Sequence, residues 1–171
     1  AYYNRGTALK DLNRFEEAIS SYDMAIRLKP DYAEAFSNRG VAQEKLKQLD
    51  AAMASYNQAI NLKPDYAEAY NNTGIALQDQ GKLDEAIASY SKALSLKPNY
   101  ADAYNNMGVA LRELDKLEEA IKVYTKALFF NPNYAEVYLN MGNVLTDQSK
   151  LEEAVEAYNK ALSLKPDYPK A

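Results

Sequence analysis

Pro30, Pro64, Pro98, Pro132 and Pro166 stand 34 residues apart. A proline returning at a fixed interval constrains the fold more than any bulk property can. It stops a helix wherever it falls, so the chain is divided into equal pieces and must be built from one unit used again and again. A length of 171 residues would by itself suggest one domain. The period says that this domain is a stack in which each unit touches its neighbours.

The register holds around each proline. With a unit numbered 1 to 34 and the proline at column 32, five units emerge. The first covers residues 1–32 and lacks its opening two; the others are 33–66, 67–100, 101–134 and 135–168, and 169–171 would open a truncated sixth. Column 8 is Gly6, Gly40, Gly74, Gly108 and Gly142. Column 20 is Ala18, Ala52, Ala86, Ala120 and Ala154, and column 27 is Ala25, Ala59, Ala93, Ala127 and Ala161. Column 24 is Tyr22, Tyr56, Tyr90, Tyr124 and Tyr158. Column 4 is aromatic throughout, as Tyr2, Phe36, Tyr70, Tyr104 and Tyr138. This pattern resembles the tetratricopeptide repeat, a helix–turn–helix unit with the same period, and the resemblance covers essentially the whole chain. It implies an all-α fold, a right-handed α-α superhelix of five helix-turn-helix repeats running as a single array over 1–171.

The residues of one unit lead to the same hairpin. In 67–100, Ala69, Tyr70, Thr73, Gly74, Ala76 and Leu77 recur at the spacing of an amphipathic helix, here helix A. Asp65 and Glu68 have the spacing of a capping box, repeated by Asp31 with Glu34, Asn99 with Asp102, and Asn133 with Glu136. Helix A should stop near column 15, where Gly81 or Asn13 takes a left-handed backbone readily; Lys47, Asp115 and Ser149 are poorer choices there. A second stripe, Leu83, Ala86, Ile87, Tyr90, Ala93 and Leu94, gives helix B, with Asp84 and Glu85 at its positive end and Lys97 at its negative end. Small residues in columns 8, 20 and 27 allow close approach, and the column 24 tyrosine fills the space between helices. Of the 15 tyrosines, all but Tyr3 fall in columns 4, 24 or 34, which makes them packing residues rather than an aromatic ligand cage.

Several function classes lose their chemistry. Without cysteine or histidine there is no disulfide, no zinc site of those ligands and no Cys-His or Ser-His-Asp nucleophile. The carboxylates and lysines sit at repeating columns, so no catalytic residue, metal or cofactor is expected and the chain reads as a non-enzyme. A net charge of −4 gives no basic footprint for nucleic acid. No apolar run is long enough to span a membrane, and no signal segment opens the chain. The expected location is the cytoplasm, although the chain starts without methionine and partway into a repeat, so a targeting segment ahead of residue 1 would override this.

Once the core columns of helix A are assigned, columns 2, 5, 6, 9, 12 and 13 face away from the core. In tetratricopeptide proteins this face lines a concave groove for an extended peptide or a partner helix. Column 6 is asparagine in every unit: Asn4, Asn38, Asn72, Asn106 and Asn140. A primary amide both donates and accepts, so a ladder of amides can grip main chain of any sequence. Beside it lie Asn71 and Asn105 in column 5, and Glu68 and Asp102 in column 2. The ladder is similar to that of the superhelical region of O-linked N-acetylglucosamine transferases, as are Ala86-Ile87-Ala88-Ser89-Tyr90 and Leu164-Lys165-Pro166-Asp167-Tyr168-Pro169. The other reading of column 6 is family consensus with local bonding. Acids dominate column 2 (Glu34, Glu68, Asp102, Glu136) and column 13 (Asp11, Asp79, Glu113, Asp147, against Lys45), while column 12 mixes Lys10, Glu44 and Arg112. The face thus favours neutral or basic segments, unless the acids serve only as caps and solvated surface. The clamp by which some family members hold acidic chaperone tails is not matched: column 5 reads Tyr3, Ser37, Asn71, Asn105 and Leu139.

Column 7 carries Arg5 and Arg39 where the family favours leucine, and column 11 carries Gln43. Arg39 and Gln43 could mark a specific contact or pack their stems with heads in water. No polar capping helix follows the last unit, so Leu151, Val155, Tyr158 and Leu162 should be partly bare, to be covered by further repeats or by head-to-tail self-association. The expected function is a protein–protein interaction scaffold; the alternatives are the substrate-recruiting arm of a larger enzyme such as a glycosyltransferase, and an end-to-end self-assembly module.

Overall fold

Alanine, leucine, lysine and glutamate recur in every piece between prolines, and all four are strong helix formers. The computed structural model describes residues 1–166 and turns each piece into two helices. Contacts divide the chain into two compact units, and the division falls at the end of a B helix. The first, Ala1–Leu96, holds α1 (Tyr2–Asp11), α2 (Phe15–Leu28), α3 (Ala33–Lys45), α4 (Leu49–Leu62), α5 (Ala67–Asp79) and α6 (Leu83–Leu96). The second begins at Lys97 and holds α7 (Ala101–Glu113), α8 (Leu117–Phe130), α9 (Ala135–Asp147) and α10 (Leu151–Leu164). No strand occurs among the described residues. The expected opening of a sixth repeat, 169–171, lies outside them, as do Asp167 and Tyr168.

Within each unit the same packing repeats. Every A helix lies against its own B helix, and inside a unit a B helix lies against the next A helix: α2 on α3 and α4 on α5 in the first unit, α8 on α9 in the second. Tyr22, Tyr56, Tyr90 and Tyr124 have no exposed surface. Each ring occupies the space that the column 8 glycine leaves open: a Cβ on Gly6 would lie 2.7 Å from Tyr22 Cε1, and one on Gly40 2.5 Å from Tyr56 Cε1. Ala52, Tyr56 and Ala76 form one buried cluster that joins α4 to α5, with Val41 and Met53 against it.

The turn between helices A and B follows a single design. After α5, the Gly81 N–H bonds Gln78 O at 2.8 Å and the Lys82 N–H bonds Leu77 O at 2.9 Å, the two bonds of a Schellman cap. Gly81 has φ 75°, and Asn13, Lys47, Asp115 and Ser149 take φ 58° to 61° at the same column. The poorer candidates therefore adopt the left-handed backbone as well, held there by the flanking helices at a steric cost of about 1–2 kcal/mol for a side chain with Cβ. Ser149→Gly should consequently raise stability by roughly 1 kcal/mol, read as a higher urea midpoint with unchanged slope.

Two expectations at the other turn change. The B helices end before the Lys-Pro or Asn-Pro step, but the next A helix starts one residue later than a capping box requires. Its N-cap is a tyrosine (Tyr32, Tyr66, Tyr100, Tyr134) with no side-chain cap bond. The Asp65–Glu68 pair is thus out of register. The turn closes through main chain instead: Ala67 N–H to Asp65 O at 3.1 Å, Ala69 N–H to Tyr66 O at 3.0 Å. The lysine before the proline sits over the N-cap ring, with Lys63 Nζ 4.7 Å from the Tyr66 centroid and Lys97 Nζ 4.5 Å from that of Tyr100, a cation–π contact that tethers the loop.

Candidate peptide-binding face

The column 6 asparagines lie on the A helices. In the first unit Asn38 Nδ2 donates to the Tyr3 hydroxyl at 2.8 Å, crossing from α3 to α1. In the second, Asn140 Nδ2 donates to Asn105 Oδ1 at 2.9 Å, crossing from α9 to α7. Both bonds run from column 6 to column 5 of the preceding repeat. One N–H of each amide is spent between helices, and the carbonyl oxygen and the second N–H remain to act outward. Asn4 is exposed, and Asn72 and Asn106 are half-buried. The column 5 asparagines sit deeper than a ligand-facing role suggests: Asn71 is 4% and Asn105 3% exposed. Besides accepting from Asn140, Asn105 donates to Glu136 Oε1 at 3.4 Å.

The acids of the face are braced rather than bare. Glu34 pairs with Lys63 at 3.3 Å, and exposed Asp102 accepts from the Tyr134 hydroxyl at 2.8 Å. Glu68 is half-buried in the first turn of α5. Asp79 meets Lys47 at 2.9 Å and Asp147 meets Arg112 Nε at 2.6 Å, the first bridge joining the turn after α3 to α5 and the second joining α7 to α9. Such exposed pairs contribute about 0–1 kcal/mol apiece, so they set side-chain positions more than they stabilise.

Arg39 and Gln43, whose role the sequence left open, belong to one network. Arg39 reaches Asp23 at 2.7 Å and Ser55 at 3.1 Å, and Ser55 donates to Gln43 at 2.7 Å. Arg5 bonds Ser21 at 2.7 Å in the preceding repeat. Arginine in column 7 is thus matched by serine in column 23, an interhelical pairing that a scan of both columns together would have revealed.

Glu44 is the one charged group driven into this region, 7% exposed, and it accepts from the Tyr56 hydroxyl at 3.0 Å. Burial pushes its pKa up, only partly offset by that bond. Across the window above the ordinary carboxylate value of 4.5, the folded state binds more protons than the unfolded one, so Glu44 lowers stability as pH rises. Glu44→Gln should stabilise the protein at pH 7, with the gain vanishing below about pH 4.5 in urea titrations. The next repeat already shows the arrangement: Tyr90 donates to Gln78 Oε1 at 3.1 Å. Tyr66, half-buried beside Ser37, is pushed up to about 12 by burial and stays a neutral phenol.

Paired helices, glycine-seated tyrosines and a polar face along the A helices define an α-repeat scaffold of stacked hairpins. Models of the TPR repeat match residues 6–47, 45–81, 74–115 and 110–149, and that of the tetratricopeptide repeat matches 135–168. The chain belongs to the tetratricopeptide repeat family. Among solved structures it is similar to MamA, with 25% identity over 97% of each chain and a TM-score of 0.81. It is also similar to YrrB, described as a TPR protein with an unusual peptide-binding site, with 23% identity over 98% of this chain and 86% of that one and a TM-score of 0.74. PilF of Pseudomonas aeruginosa shares 22% identity over 95% of this chain and 74% of its own, with a TM-score of 0.88. These likenesses show the fold. No curated protein matches the sequence, and no helix among the described residues is long and apolar enough to cross a membrane.

Proposed function

We propose that the protein is a non-catalytic interaction scaffold whose A-helix face holds an extended peptide or partner segment by its main chain. The observation that carries this reading is the orientation of the column 6 amides. Asn38 and Asn140 each anchor one N–H to the A helix of the preceding repeat, which fixes the amide plane and presents the remaining donor and acceptor at the surface. An acceptor and a donor on one rigid group match the C=O and N–H of a peptide unit. The acidic columns favour a neutral or basic segment, and the peptide-binding site named for YrrB makes the family a fitting host for such a ligand.

Each amide contact is worth about 0.5–1.5 kcal/mol net. Asn72→Ala together with Asn106→Ala, one in each unit, should weaken a captured partner segment about tenfold while moving the melting temperature little. The partner is recovered by pull-down on the isolated array, identified by mass spectrometry and titrated calorimetrically. Unchanged affinity would make these asparagines spacers between helices.

Two further readings rest on specific observations. If the resemblance of the asparagine column and of Ala86–Tyr90 to glycosyltransferase repeats reflects kinship, the array is the recruiting arm of such an enzyme, and an alternating strand-and-helix domain in the parent sequence would favour that role over a scaffold. Leu151 and Val155 on α10 are 62% and 56% exposed, so end-to-end association is a third reading, countered if light scattering finds a monomer at high concentration.

A further inference from the structure

The column 24 tyrosines pass their hydroxyls to helix A of their own repeat. Tyr22 donates to Thr7 at 3.4 Å, Tyr56 to Glu44 at 3.0 Å and Tyr90 to Gln78 at 3.1 Å. Tyr158 meets Thr146 at 3.2 Å and Asn143 at 3.0 Å. The partners come from columns 9 and 12. In the fourth repeat these columns are Val109, which has no polar atom, and Arg112, which turns its Nε to Asp147 and away from the hydroxyl. The Tyr124 hydroxyl, on a side chain with no exposed surface, is left without a partner. Most buried hydroxyls in proteins are paired, so this exception calls for an explanation.

Tyr124 lines a cleft of about 260 Å³ together with Val109, Arg112, Glu113, Asn140 and Asp147. All six belong to the second unit, on α7, α8 and α9. Asn140 is the amide whose free donor and acceptor the peptide reading uses, so the cleft opens beside the path of the proposed ligand. The charge of Arg112 is taken up by Asp147 at 2.6 Å. Arg112 is the charge that acts most strongly on the Tyr124 hydroxyl, and Glu136 and Glu113 act against it. With Asp147 these make three carboxylates against one guanidinium, a net negative surround that opposes an anion, and an alkyl group would leave the hydroxyl unpaired.

We propose that this cleft is a side-chain subsite that receives a lysine from the bound segment, a proposal that rests on the peptide-holding reading of the A-helix face. An ammonium is a compact charge with three donors and no acceptor. It answers three oxygens here: the Tyr124 hydroxyl, the Asp147 carboxylate oxygen not held by Arg112, and the Glu113 carboxylate. The lysine stem lies along Val109. A guanidinium would compete with Arg112 for Asp147, whereas an ammonium needs only one of its oxygens. Because the hydroxyl is covered in the free protein, entry requires a lining side chain to shift; Arg112, 41% exposed and held by its pair with Asp147, is the one proposed to move.

The test uses four capped alanine–glycine nonapeptides with lysine, norleucine, arginine or glutamate at the centre, titrated by fluorescence anisotropy against the full chain. The lysine peptide should bind about tenfold tighter than the norleucine peptide, with a shifted Arg112 Nε–H resonance. Tyr124→Phe and Glu113→Gln should each remove most of that preference and leave norleucine binding unchanged; circular dichroism checks that both variants fold, and Glu113→Gln alone decides if Tyr124→Phe does not. Equal binding of lysine and norleucine peptides overturns the subsite while main-chain holding stands. Preference for arginine overturns the ammonium, preference for glutamate overturns the field, and a lysine preference that survives both substitutions overturns the assigned residues. If no peptide binds the folded chain, the subsite and the reading beneath it fall together.

Discussion

Tyr56→Ala is expected to destabilise the protein by roughly 3–5 kcal/mol, the range for truncating a large buried aromatic. The ring has no exposed surface and joins α3, α4 and α5, so its loss opens a void at the meeting of two repeats. Its hydroxyl is also the bond that keeps Glu44 tolerable in the interior. Thermal melting should fall by on the order of 10 °C, and because a stacked array transmits damage mainly to nearest neighbours, amide exchange should accelerate most in α3 to α5. Tyr56→Phe separates the contributions: it keeps the ring and loses the donor, and should show a smaller fall that shrinks further when Glu44→Gln is added, since a neutral amide loses less than a buried carboxylate. A loss of less than about 1 kcal/mol for the alanine variant would mean that the ring is not the peg between repeats, given the burial scale.

Gly40→Ala tests the same joint from the other side, and here two effects oppose. Alanine is favoured over glycine in a helix by about 1 kcal/mol, so at an open helical site the substitution would stabilise. On α3, however, the new methyl would sit 2.5 Å from Tyr56 Cε1 and 2.7 Å from Cδ1, well inside contact distance, against a ring that is fully enclosed. Overpacking of this kind costs about 1–3 kcal/mol and should prevail, lowering the urea midpoint. Combining Gly40→Ala with Tyr56→Leu, which withdraws the ring, should give a loss smaller than the sum of the two, since contacting residues couple. Additive losses would show that the glycine serves helix conformation alone.

The hairpins, their limits and the packing role of the tyrosines were legible because they depend on short-range rules applied at a fixed period. Gly81 and Asn13 announced the left-handed turn directly; Lys47, Asp115 and Ser149 adopt it because the surrounding repeat leaves no other geometry. The capping box misled because Asp65 and Glu68 have the right spacing but the Pro64 turn delays the helix by one residue, handing the N-cap to Tyr66. On the face, the asparagine column could be read from the sequence, whereas its bonds to column 5 could not. Asn38 meets Tyr3 and Asn140 meets Asn105 across 35 positions, a register that exists only once two A helices lie side by side. The same holds for Arg39 with Ser55, and for the hydroxyl of Tyr124, whose orphaning follows from an arginine turning toward the next repeat.

The column 24 rings repeat unchanged while the groups that meet their hydroxyls differ: a threonine, a carboxylate, an amide, nothing, and a threonine again. Frame and lettering are thereby written in separate positions. A lineage, or an engineer, can respell the outer surface one hairpin at a time and keep the same architecture beneath.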